Sequence, residues 1–247
     1  MLLALFLVDL AAGFVLFLPL VGRRNAGVKF YRLVFVIGAT LALLAAAAHF
    51  LAHHRDLAAY DIVIVALTAL VFSVLRYPKR LIFRASVALL GMAYLFASVA
   101  AYDAAIRPSH ILWSIAGALA SVALLGTVNL AMTLGHWYLV VRGMAIDPLK
   151  RLSMATLYAT IAKIVVVVIA LVVGGVFREV AIRQGIFFWM RAGWGLAGPL
   201  LLFPMVWGTV KIRSTMAATG ILYVDVVAVV IGEVLGAWLS TLAHLPL

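Results

Sequence analysis

Cysteine is absent from all 247 residues. This excludes disulfides, thiolate zinc sites and iron–sulfur clusters ligated by the chain. Charge is also scarce: 11% of residues are Asp, Glu, Lys or Arg, against about 25% in an average soluble domain. Acids are the rarer sign, 8 against 19 Lys and Arg. The sequence has no nucleotide-binding loop, no HExxH, no GxSxG and no paired carboxylates in a soluble stretch. No catalysis is therefore expected from this chain alone. No linker, low-complexity stretch or internal repeat divides it, so residues 1–247 are expected to form one domain.

Apolar residues fill the space. They make up 67% of the chain, and the mean hydropathy is +1.22. A soluble globule of this size cannot hide that much apolar surface, so the surroundings are membrane lipid and the fold class is all-α, a polytopic transmembrane bundle. A span needs about 20 apolar residues to cross a core of roughly 30 Å. Eight runs qualify, near 1–21, 33–53, 58–75, 82–102, 111–139, 154–177, 186–210 and 216–243. The connections are short, so successive helices are expected to be antiparallel neighbours.

The net charge of +11 does not point to nucleic acid, because the cations lie in short loops between apolar runs. Alternate loops hold Arg23, Arg24, Lys29, Arg32, Arg76, Lys79, Arg80, Arg84, Arg142, Lys150, Arg151, Lys211 and Arg213, whereas the other set holds only Arg55, Arg107, Arg178 and Arg183. The positive-inside rule then puts both termini outside, which in a bacterial inner membrane is the periplasm. The first run has no basic stretch before it and carries Asp9, and Arg23 and Arg24 follow it. This pattern predicts a retained helix rather than a signal peptide.

Five ionisable residues within spans are the candidates for a buried polar site: Asp9, Lys163, Arg191, Asp225 and Glu233. A charge at mid-bilayer costs about 2.5–3.5 kcal/mol on insertion scales, so such groups face protein or a water path. Lys163 and Asp225 each lie about ten residues into their helices, which predicts a central pair at mid-membrane. Asp9 is expected near that level, with Arg191 and Glu233 paired nearer the outside. One reading is a proton path built from these five groups; the other is ion pairs that fix helix register.

Three further groups of residues are candidates. The seventh span contains Gly193, Gly195, Gly198, Pro199 and Pro204, which predicts a kinked helix beside the buried charges. His136, Trp137 and Tyr138 form an inner-interface aromatic belt or the wall of a quinone pocket, with Asn129 further along the same helix toward Lys163. His49 and His53, four apart at the outer end of span two, are either solvated interface groups or part of a metal site. His49 and His136 lie near opposite faces and cannot share one haem iron, so no haem is expected.

The stretch Leu7 to Val21, LVDLAAGFVLFLPLV, is similar to the first helix of the NrfD/polysulfide-reductase membrane anchors. The Gly- and Pro-containing RAGWGLAGPLLLFP, from Arg191 to Pro204, is similar in character. The resemblance implies eight helices, quinone binding on behalf of a redox partner and no haem of the chain's own, with proton movement in some members. It covers two helices of a chain shorter than typical members, so it carries over a class of function and no individual residue. The expected function is a membrane subunit of a respiratory or other electron-transfer complex, quinone-interacting and proton-conducting, with partner subunits holding the redox centres. The alternatives are a small proton-coupled transporter or channel, or a structural subunit of a membrane complex.

Overall fold

A computed structural model describes residues 1–74, 80–141 and 143–247. The protein is 89% helical, with no strand among the described residues. In chain order the helices are α1 (Leu2–Phe17), α2 (Arg23–Leu51), α3 (Arg55–Val74), α4 (Arg80–Ile106), α5 (Ile111–Val140), α6 (Asp147–Val173), α7 (Phe177–Arg183), α8 (Ile186–Met190), α9 (Gly198–Lys211) and α10 (Thr215–Ala243). α8, a π-helical segment over Arg191–Ala197, and α9 run together as one span, Ile186–Lys211. With it, 8 stretches are long and apolar enough to cross a membrane.

Two spans begin earlier than hydropathy alone indicates. α6 starts at Asp147 with a polar first turn that dilutes the apolar signal, and α2 begins at Arg23 with a short polar segment that breaks at Gly27, φ 76°, before the long apolar run. Pro148 suits the start of α6, because its fixed φ matches a helix and its missing N–H would have no intrahelical partner there. Between spans six and seven the chain adds a short helix, α7, with an exposed Arg183–Glu179 ion pair at 2.7 Å. The turn after α1 is set by Pro19 in a 3-10 segment and by Gly22 at φ 73°, a backbone region open mainly to glycine.

The hydrophobic core is centred on α1 and α5. Their spans are 56% and 61% buried, against 28–44% for the other six, so the rest wrap around this pair. α1 packs on α2, α4 and α5, and α5 also packs on α6 and α10. Lipid gives no hydrophobic drive for helices to associate, so close backbone approach must supply van der Waals contact. Gly13 and Gly126 provide it: a Cβ added to Gly13 would sit 2.4 Å from the Gly126 Cα.

An even number of crossings brings residues 1 and 247 to one face, called here the terminal face. Three of the cations behind the expected orientation, Arg76, Lys79 and Arg142, lie outside the described residues. At the opposite, basic face, Arg23 lies 4.9 Å from the Phe83 ring centre and Lys211 lies 5.4 Å from that of Trp207. These cation–π contacts anchor helix ends at an interface.

The glycine contact makes a direct prediction. Gly13→Val forces α1 off α5 and should cost about 1–3 kcal/mol or more through overpacking. Gly208→Ala, where an added Cβ meets open space, should leave stability unchanged. Thermal unfolding of both variants in detergent micelles checks the difference.

Candidate functional site

The buried charges meet around Glu233 on α10. Its Oε1 lies 2.9 Å from Arg191 Nη2, and its Oε2 lies 3.3 Å from Lys163 Nζ. Lys163 also donates to Ser121 Oγ on α5 at 2.7 Å. All three charged side chains are buried, at 1–4% exposure, so water does not screen them. Asp9 on α1 accepts a hydrogen bond from Ser98 Oγ on α4 at 2.5 Å, and it borders the same small cavity as Lys163, Glu233, Tyr102 and Ser240. Two carboxylates and two cations therefore share one enclosure.

This arrangement corrects the expected pairing. Lys163 does not meet Asp225; it meets Glu233, and Glu233 joins the two expected levels into one cluster. The reason is the true start of α6. α6 and α10 run in the same direction, so depth follows the distance from each helix start. Counted from Asp147 and Thr215, Lys163 lies about 24 Å along its helix, Glu233 about 27 Å and Asp225 only about 15 Å.

Arg191 enters through glycine. Gly195 in the π-helical segment touches Gly232 on α10, where an added Cβ on either would fall within 2.4 Å of the other's Cα. A Cβ on Gly236 would sit 2.8 Å from Arg191 Nε. The Gly232 and Gly236 pair thus leaves a slot for the guanidinium beside Glu233. The sequence carries that signal as GEVLG, small residues four apart around a buried acid. Arg191 Nη2 further donates to the Leu247 carbonyl oxygen at 3.4 Å, because residues 244–247 fold back over the cluster. His244, left-handed at φ 54°, turns the chain there, and Leu247 N donates to Ser240 Oγ at 2.9 Å.

The seventh span is irregular where expected, but in another form. Instead of a simple proline kink, Arg191–Ala197 forms a wide π-turn, with Gly198 N–H donating to the Gly193 carbonyl. Pro199, which has no N–H, follows this turn directly. Wide turns of this kind occur frequently at functional sites.

Asp225 stands apart. Its Oδ1 is buried without a hydrogen-bond partner, and no ion pair reaches it among the described residues. A polar stripe on α6 links its level to the cluster: Ser153, Thr156, Thr160 and Lys163 are all buried and fall on one helix face. Cavities occur at both ends of this stripe, each about 10 Å3, room for about one water.

The remaining candidates separate. His136 is exposed, Trp137 packs edge-on to Phe30 with ring centres 5.6 Å apart, and the Tyr138 hydroxyl donates to the Ala145 carbonyl. Successive helical residues point about 100° apart, so these three do not converge on one pocket. Asn129 is buried and its amide donates to its own helix at Leu125. His49 pairs with Asp61 on α3, Nδ1 to Oδ2 at 2.7 Å, both buried. His53 lies beyond the end of α2, exposed and left-handed at φ 63°, so the helical spacing of four does not bring it to His49. Among the described residues no three His, Cys, Asp or Glu gather closely enough to hold a metal. Sequence reading missed Ser98, Ser121, Asp61 and Ser240, whose residue types are common in membrane helices and gain meaning only from their partners.

Comparison with protein families, with curated proteins and with solved structures finds no match.

Glu233→Gln removes the carboxylate that both buried cations contact and should destabilise the protein by about 3–5 kcal/mol. Adding Lys163→Met should recover part of that loss. Asp225→Asn removes a charge that has no partner, so in sodium-free buffer it should be neutral or stabilising. Denaturation midpoints in micelles compare the three variants.

Proposed function

We propose that this chain is a proton-carrying membrane subunit. The observation that carries the reading is the buried Lys163–Glu233–Arg191 cluster with Asp9 beside it. Two acidic and two basic side chains stand together there. A proton arriving at one carboxyl or leaving Lys163 changes the local charge, and the neighbouring groups respond across a few ångströms of low dielectric. The hydroxyls of Thr160, Thr156 and Ser153 extend the polar stripe toward Asp225 and the basic face. Each now donates to its own helix, at 2.8, 3.0 and 2.9 Å respectively, and each can rotate to pass a proton along. Water-sized cavities at both ends suit a proton relay and exclude larger cargo.

The short loops leave no room for a soluble redox domain, so an electron-transfer role requires partner subunits, as the resemblance to NrfD-type anchors implies. A quinone role rests on that resemblance alone. The two cavities beside the buried charges are about 10 Å3 each, against roughly 300 Å3 or more for an ordinary small-molecule site. One observation favours a second reading, a structural subunit: the Gly195–Gly232 contact packs the cluster tightly, as helix docking alone would require.

The test uses tagged protein, purified gently with whatever subunits accompany it and reconstituted in liposomes. A proton gradient set by a potassium diffusion potential should decay faster than in empty vesicles. Lys163→Met and Asp9→Asn should each slow that decay by about tenfold or more, the least expected when a relay group is lost. Equal decay in wild type, both variants and empty vesicles would leave the structural reading standing.

A further inference from the structure

The Asp225 cavity is walled mainly by apolar side chains, and each of its few polar side chains presents oxygen. It lies between α6, α9 and α10, with Ser153, Thr156, Pro199 and Phe203 among its walls. Its polar side chains are Asp225, Ser153 and Thr156. Both hydroxyl protons are already committed, Ser153 to the Leu149 carbonyl at 2.9 Å and Thr156 to the Leu152 carbonyl at 3.0 Å. Their lone pairs are thus left facing outward as acceptors. Asp225 is 2% exposed, and its Oδ1 has no partner among the described residues. No Lys or Arg borders the cavity, whereas Glu233 sits beside two cations.

A hard cation seeks several oxygens and no competing donor, and a buried carboxylate without a counter-charge seeks a cation.

From these observations we propose that Asp225, Ser153 and Thr156 form a binding site for one Na+ ion. The cavity, with room for about one water, favours Na+ over the larger K+. The site is independent of the proton reading: the chain can bind Na+ whether or not its cluster carries protons.

Thermal unfolding of the purified chain tests the proposal, in NaCl, KCl or N-methyl-D-glucamine chloride at matched ionic strength. At a hundredfold excess over Kd, Na+ should raise the midpoint by roughly 5–10 °C. Asp225→Asn should abolish the shift. Thr156→Val, which keeps the side chain's shape, should raise the Na+ concentration needed by about tenfold, and equilibrium dialysis with 22Na+ should give the same order of affinities. A wild-type midpoint indifferent to Na+, a shift that survives Asp225→Asn, or an equal response to K+ would overturn the assignment.

Discussion

One carboxylate shared by two cations organises this bundle. Glu233 holds Arg191 of the seventh span and Lys163 of α6, and Lys163 reaches Ser121 of α5. Asp9 and Ser98 bring α1 and α4 to the same enclosure. In lipid the usual driving force for burying apolar surface is absent, so polar contacts and close packing must set helix positions. Each partner's presence lowers the cost of burying the others, so the cluster has to be built complete. Burying Lys163 without Glu233 would leave an ion whose desolvation nothing offsets.

Glycine makes that electrostatic arrangement possible. Gly195, Gly232 and Gly236 remove the methyl groups that would otherwise occupy the space of the guanidinium. The same economy of side-chain volume at Gly13 and Gly126 lets α1 and α5 form the axis around which the outer helices gather. The bundle therefore has a tightly built polar cluster toward the terminal face. An unbalanced acid, Asp225, lies deeper, and the hydroxyl stripe of α6 joins the two.

The helix count, the all-α class and five of the buried ionisable residues were legible in the sequence, because length and hydropathy mark spans directly, whereas Asp61 near the start of α3 was not. The pairing was not. Lys163 was matched to Asp225 by counting from where the apolar run begins, but α6 starts seven residues earlier, at Asp147, under a polar first turn. Hydropathy marks where lipid begins and does not mark where the helix begins. His49 and His53 failed for a related reason: the spacing of four has meaning only inside a helix, and α2 ends at Leu51. His136, Trp137 and Tyr138 are adjacent in sequence, which on a helix is what points them apart. Ser98 and Ser121 could not be singled out, since their importance lies in partners on other helices.

The π-turn sets the register of the seventh span. Tightening it to an α-helical turn would displace one residue, which moves everything on one side by about 1.5 Å along the axis and about 100° around it. Arg191 lies at one edge of that segment and Pro199 just past the other. An α-helical turn there would carry the guanidinium out of its glycine slot, so the extra residue of the wide turn is what lets one span place Arg191 beside Glu233 and still pack α9 on α6.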